Sequence, residues 1–395
     1  MSGQKEPKPE DICPAPDRIE PLATHPLAPP IYPAAVYQCD DAEQARRILA
    51  GEEPGYVYSR EGHPNGQLLA EKCRALHGAD RAVICSSGMA ALSAASLALL
   101  SAGDHVVASN QLYGRNQQLL TSELARYAVQ STTVDSCDLA ATRAALRPTT
   151  RLVVVETISN PLLRVANIAA LAEMVHAQGA SLLVDNTFAG PTICRPLALG
   201  ADLVLESLTK IMNGHSDVLL GALCGREACW PRIKTAVTVW GLSPSPFDCW
   251  LAARGIGTLA LRAERASNNA LRAAQFLAGR REVETVYYPG LPSHPDHALA
   301  ARQFTGGFGS VVTFTLAGGR AASDRFIAAA RRIAFCPSLG DLSTTLTHPE
   351  TTSHRTLTPA ARQKLGITGG TIRLSVGIES SEAVIDALNE GLAAV

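Results

Sequence analysis

Three short apolar runs in this 395-residue chain each end in polar residues of a different type. Residues 151–155 run into Glu156-Thr157-Ile158-Ser159-Asn160-Pro161, residues 181–184 into Asp185-Asn186-Thr187, and residues 203–205 into Glu206-Ser207-Leu208-Thr209-Lys210. Ligands bind outside the carboxyl ends of the strands in a parallel sheet. If the runs are such strands, Asn160, Asp185, Ser207, Thr209 and Lys210 meet at one edge. An amine there can hold an aldehyde as a Schiff base. A carboxylate can keep a pyridine nitrogen protonated, which makes the ring an electron sink, and hydroxyls beside the lysine suit a phosphate. Together these are the needs of pyridoxal 5'-phosphate (PLP). Taken singly, Asp185 reads as a strand-end turn residue and Lys210 as a solvated surface lysine. Three strand ends with complementary chemistry favour a site.

A second feature suits the phosphate. Ser86-Ser87-Gly88-Met89 lies between the apolar run 81–85 and an Ala-rich stretch at 87–100. A small-residue turn into a helix presents free N–H groups and the positive end of the helix dipole. The plainer reading is an N-cap at Ser86 or Ser87.

The surroundings of these residues predict an α/β fold with a doubly wound, mostly parallel sheet. Runs at 81–85, 105–108, 151–155, 181–184 and 203–205 are apolar on both faces, as buried parallel strands are. Helical intervals such as 67–76, 87–100 and 168–178 supply the crossovers. A long helical stretch is expected at 250–273. It is followed by a strand at 310–316, a helix at 321–333 and a strand at 371–376, which read as a smaller α+β domain. The division is an N-terminal arm (1–60, Pro-rich to about 30), a large cofactor-binding domain (61–255) and a small C-terminal domain (256–395).

Composition narrows the function. The 46% hydrophobic content supports a large core, and a net charge of −1 without any basic block speaks against nucleic acid. No apolar run reaches membrane-spanning length, and residues 1–30 have no signal-peptide core. The ten cysteines, Cys13 among them, form no CxxC pair. They read as reduced thiols in a cytoplasmic protein. His294 and His297 are separated by Pro295, which disfavours a helical metal pair, and no metal site is expected.

The ordered motifs resemble the Cys/Met metabolism family of PLP-dependent enzymes, the cystathionine γ-synthase-like group of fold type I. They are Pro30-Ile31-Tyr32, Tyr58-Ser59-Arg60, Ser86-Ser87-Gly88-Met89-Ala90, Leu112-Tyr113-Gly114, Glu156-Thr157, Asn160-Pro161, Asp185-Asn186-Thr187, Ser207-Leu208-Thr209-Lys210, Asn213-Gly214-His215-Ser216-Asp217, Ser338-Leu339-Gly340 and Arg373-Leu374-Ser375-Val376-Gly377-Ile378-Glu379.

The resemblance implies a role for each residue. Lys210 holds the cofactor and shuttles protons. Asp185 pairs with the pyridinium nitrogen. Ser87, Gly88, Met89, Ser207 and Thr209 hold the phosphate. Tyr113 stacks on the ring and helps proton transfer. Glu156 and Asn160 orient the ring substituents, and Arg373 with Ser338 grips the substrate carboxylate. Tyr58 and Arg60 reach a neighbour's phosphate, which implies a dimer with shared sites and a homotetramer built from it. The reaction implied is γ-elimination from a methionine- or homocysteine-like amino acid. The alternatives are γ-replacement on an O-acylhomoserine, or cleavage of cystathionine by a γ- or β-lyase.

Local departures bear on that choice. Arg115 stands where methionine γ-lyases carry Cys, and Gln118 where cystathionine-handling members carry Arg. Pro337 precedes Ser338 where many cystathionine γ-lyases have Glu. His63 and Asn65 also differ from the family pattern. Arg115 is expected to read the distal part of the substrate side chain. The alternative is an arginine facing solvent.

Overall fold

The strands expected at 81–85, 105–108, 151–155, 181–184 and 203–205 all belong to one seven-stranded sheet. In this computed structural model, residue 24 and residues 26–230, 232–355 and 357–395 are described. Cys13 and most of the 1–30 arm lie outside them. The strands are β1 (Arg81–Cys85), β2 (His105–Ser109), β3 (Gln130–Val134), β4 (Thr150–Glu156), β5 (Ser181–Asp185), β6 (Leu203–Ser207) and β7 (Gly221–Gly225). Their order is β1-β7-β6-β5-β4-β2-β3. From β3 to β6 all neighbours run parallel. β7 is antiparallel to both β6 and β1.

Both faces of this sheet are covered because successive strand side chains point to opposite sides. Val153 and Val155 of β4 enter one core with Ile168, Leu171 and Val175 of the Ile168–Ala177 helix. Leu152 and Val154 enter a second core with Ala91, Leu92 and Ala95 of the Gly88–Leu99 helix. Alanine gives that helix a slim profile, so it packs closely against the sheet with Ile233 and Ala236 beyond it. Its start is fixed by Ser87, whose Oγ accepts from the Ala90 N–H at 3.0 Å. The residues after Ser87 therefore present their first N–H groups outward.

Two strands of this sheet were not expected from sequence. β3 is an edge strand with a polar run and partly exposed faces. β7 is Gly-Ala-Leu-Cys-Gly, bounded by a residue that is depleted in strands. It is fully buried and paired along all five residues with β1 and β6.

The helical stretch expected at 250–273 is two helices, Pro246–Ile256 and Leu259–Ala278. The break serves the segment after Lys210. Arg262, buried on the second helix, donates to the carbonyls of Ile211 (2.7 Å), Met212 (3.1 Å) and Gly255 (2.9 Å). It satisfies carbonyls of the Lys210 loop and of the first helix end together. Gly214 has φ +77 and lies so close to the Arg262 guanidinium that a Cβ would collide with it.

A second sheet holds β8 (Val283–Tyr287), β9 (Val311–Leu316), β10 (Ala334–Phe335), β11 (Thr345–Thr347) and β12 (Thr371–Ser375), ordered β10-β11-β12-β9-β8. Its core joins Phe314, Phe326, Tyr288 and Leu388. Phe314 and Phe326 meet edge to face at 5.5 Å, a favoured aromatic geometry. β12 lies between β9 and β11, with Arg373 opposite Thr313 and Thr347. Among the described residues no helix is long and apolar enough to cross a membrane.

Candidate active site

The carboxyl ends of β4, β5 and β6 open into a cavity of about 560 Å³. Asp185 is the last residue of β5 and is buried. Its Oδ1 accepts from the Thr187 N–H at 3.1 Å and from Thr187 Oγ1 at 2.5 Å. Its Oδ2 accepts from Asn116 Nδ2 at 3.0 Å. Burial pushes the Asp185 carboxyl up to about 6, while bonds from Thr187 and Asn116 oppose the shift.

Glu156 is the cross-strand neighbour of Asp185. Burial first, and then the Asp185 charge, push its carboxyl well above the ordinary range. Both its oxygens are occupied by backbone donors. Oε1 accepts from the Tyr113 N–H at 2.6 Å and Oε2 from the Asn160 N–H at 3.2 Å. Glu156 thus ties the Tyr113 turn to the Asn160 loop.

Lys210 enters from the loop after β6. Its Nζ donates to Ser338 Oγ at 3.0 Å. Burial, and then the charge of Arg373, depress its pKa. The amine is therefore more readily neutral than a surface lysine. Gly340, at φ +78, brings the Ser338 segment against the backbone of Lys210 and Ile211, with no room for a Cβ.

Arg373 is buried on β12. It donates from Nη1 to Asn160 Oδ1 (2.8 Å) and from Nη2 to the Ser338 carbonyl (2.9 Å). Among the described residues its buried Nε has no hydrogen-bond partner. A buried donor left unpaired is expensive, so this atom is set to receive an acceptor from the cavity. Burial lowers the guanidinium pKa to about 10, and it stays charged at neutral pH.

The comparison with known proteins decides the family. A family model described as the Cys/Met metabolism PLP-dependent enzyme matches residues 16–393. The chain belongs to this family. It is similar to the L-methionine γ-lyase of Porphyromonas gingivalis, at 41% identity over 369 residues, covering 93% of this chain and 92% of the relative. It is equally similar to the O-succinylhomoserine sulfhydrylase of Pseudomonas aeruginosa, at 41% identity, covering 92% and 90%. Among solved structures, a cystathionine γ-synthase of Xanthomonas oryzae pv. oryzae in complex with cystathionine matches with TM-score 0.88. It is 38% identical and covers 93% of this chain and 92% of that one. The chain is thus a PLP-dependent enzyme of fold type I.

The residues present fit PLP on their own chemistry. A buried carboxylate is held by three donors, a lysine amine is eased toward neutrality, and a 12-residue helix opens at Gly88 on the cavity. The first N–H groups of that helix lack intrahelical partners and suit a phosphate. Ser207 and Thr209 line the same wall. Two of the expected hydroxyls are engaged within the chain. Ser87 Oγ caps the helix, and Thr209 Oγ1 bonds both the N–H (3.2 Å) and the carbonyl (3.4 Å) of Leu220.

Of the residues expected from sequence, Ser87, Gly88, Met89, Tyr113, Glu156, Asn160, Asp185, Ser207, Thr209, Lys210, Ser338 and Arg373 all line this cavity. Tyr58, Arg60 and Arg115 do not. Tyr58 and Arg60 sit on an exposed segment, with the Arg60 guanidinium 5.4 Å from the Tyr58 ring centre. Arg115 is not among the lining residues, and its Nη1 donates to Gln118 Oε1 at 2.6 Å along its own helix. That helix (Gly114–Gln118) turns Asn116 inward instead. His63 and Asn65 have local tasks. His63 Nδ1 caps the Pro64–His77 helix through the Gly66 N–H, and Asn65 Oδ1 accepts from the Tyr32 N–H.

Sequence reasoning assigned no role to Asn116, Thr187 or Arg355, all of which line the cavity. Thr187 had a visible signal, since a hydroxyl two residues after a strand-end Asp often bonds back to it. Asn116 and Arg355 had none.

Proposed function

We propose that this enzyme catalyses PLP-dependent γ-elimination from a methionine- or homocysteine-like amino acid, giving a 2-oxo acid, ammonia and the leaving group. The observation that carries the reading is one cavity amine, Lys210, held by Ser338 in the cavity that Arg373 and the buried Asp185 also line, with the Arg373 Nε unpaired among the described residues. Elimination at the γ-carbon needs protons taken first from the α- and then from the β-carbon. One lysine on a flexible stem can serve both positions.

PLP, when bound, supplies the electron sink that stabilises negative charge next to the substrate amine. The chain's residues do the rest. Asp185 would hold the proton on the ring nitrogen. The Gly88 and Met89 N–H groups with Ser207 bind the phosphate, with Ser87 and Thr209 shaping that wall. Arg373 binds the α-carboxylate through its planar fork, and Ser338 holds the Lys210 amine until substrate arrives. Tyr113, which lines the cavity, would cover the ring and assist proton movement. Glu156 and Asn160 fix the loops on either side.

A γ-replacing activity is the second reading. It is favoured by the equal similarity to the Pseudomonas aeruginosa sulfhydrylase. Methionine, homocysteine, cystathionine, O-acetylhomoserine and O-succinylhomoserine, each with and without cysteine or sulfide, separate the two. Elimination predicts 2-oxo acid and ammonia from methionine or homocysteine without added thiol. Turnover seen only when a thiol is present, with a replacement product, would reject elimination in favour of replacement.

The exposed Tyr58–Arg60 pair supports a site completed by a second copy of the chain, as a dimer and a homotetramer built from it; the cytoplasm is the proposed location. Arg60→Ala and Lys210→Ala subunits are each expected to be inactive alone. Co-expressed, they should regain activity, because one site of each heterodimer keeps both wild-type halves. Purified heterodimers without activity would exclude the shared site.

A further inference from the structure

The cavity has three ends with an occupant by chemistry, namely ring nitrogen at Asp185, phosphate at the Gly88 helix start and α-carboxylate at Arg373. What is left for a substrate side chain is the wall formed by Tyr113 and the segment after β11, which contributes Thr351, Thr352, Ser353 and Arg355. This inference rests on the γ-cleaving reading above and names the leaving group it prefers.

That segment is a built wall. Thr352 Oγ1 donates to the His348 carbonyl at 2.8 Å, and the His354 N–H donates to the Pro349 carbonyl at 2.9 Å. His348 Nε2 lies 2.9 Å from the Gly369 carbonyl. It packs over the Tyr113 turn, so that a Cβ on Gly114 would sit 3.5 Å from the Ser353 carbonyl. The segment therefore borders the surface where the distal side chain must run.

Arg355 is the charged group of this wall. Its Nη1 donates to the Thr352 carbonyl at 3.2 Å. The arginines at the cavity differ sharply. Arg373 is buried with two of its donor nitrogens engaged, whereas Arg355 is exposed at the cavity mouth. Neither acid of the cavity is free to pair with Arg355, since Asp185 and Glu156 are held by Asn116, Thr187 and backbone donors. We propose that Arg355 binds a carboxylate at the far end of the substrate's γ-substituent, so that the preferred leaving group is itself anionic. The half-ester of a dicarboxylic acid, or a thioether ending in a carboxylate, has this form. A guanidinium fork suits a carboxylate, and a methyl thioether or an acetyl ester offers it nothing.

The test uses the holoenzyme and two pairs of compounds. L-2-aminopimelate and L-norleucine lack a γ leaving group and differ in a terminal carboxylate, so their dissociation constants report binding alone. O-succinyl-L-homoserine and O-acetyl-L-homoserine report kcat/KM. Arg355→Ala should weaken aminopimelate binding and lower kcat/KM for the succinyl ester by roughly ten- to a hundredfold, with about twofold change or less for norleucine and the acetyl ester. Arg355→Lys should recover part of the loss, because it keeps the charge without the fork, and Arg115→Ala should change neither pair. Equal losses on both members of a pair, or no loss, would overturn the role of Arg355 while leaving the γ-cleaving reading intact. A wild-type enzyme that turns over none of the γ-substituted substrates would overturn both.

Discussion

Lys210→Ala is expected to lower kcat by about 10²- to 10⁴-fold or more, the range removed with a positioned general base. The loss should be larger than for any wall residue, because Lys210 is both the anchor of the cofactor and the proton carrier. Its amine is held at 3.0 Å by Ser338 Oγ, and its pKa is lowered by burial and by Arg373. Burial and the Arg373 charge favour the neutral amine, the form that attacks an aldehyde or accepts a proton. Lys210→Arg should not restore activity, since a guanidinium cannot shed its charge. Borohydride reduction of the wild-type holoenzyme followed by peptide mapping should leave the pyridoxyl group on Lys210. A label on another lysine, or turnover that survives the substitution, would sink the assignment.

The anchor of this site was readable from sequence because its parts are strand ends. Runs of apolar residues located β4, β5 and β6, and the polar residues that follow each run had to share one edge. What sequence could not give was contact across long separations. Asn116 and Asp185 are 69 residues apart, and Arg262 reaches back 51 residues to the Ile211 carbonyl. Arg115 shows the limit of local reading most clearly. The segment after Tyr113 was rightly placed at the cavity, but a five-residue helix decides which side chain turns in, and it turns in Asn116. The guanidinium at the mouth comes from Arg355, on a loop whose fold depends on His348 and on the second sheet. β7 was missed for a related reason, since a strand bounded by glycines is specified by its neighbours rather than by its own propensity.

Asp185→Asn is expected to lower kcat by about two to four orders of magnitude while cofactor still binds. The substitution keeps the shape and removes the charge that holds a proton on the ring nitrogen. Its surroundings make the change costly, because the carboxylate receives only donors: Thr187 N–H and Oγ1 on one oxygen, and Asn116 Nδ2 on the other. An amide NH₂ in that place must face one of those donors, so local order should suffer as well as charge. Asn116→Ala removes one donor but keeps the charge, and should cost far less in turnover. The pH dependence gives a second measurement. Burial raises the Asp185 carboxyl to about 6 in the cofactor-free protein. As pH falls through 6 the group gains its proton and loses the charge that attracts a pyridinium. Cofactor affinity of the apoprotein should therefore weaken below about pH 6 and level off above it. Asp185→Asn should flatten that step. Near-normal turnover in the variant, or a step that persists without the carboxylate, would mean that another group, with Glu156 on the adjacent strand the first to test, sets the charge at the ring.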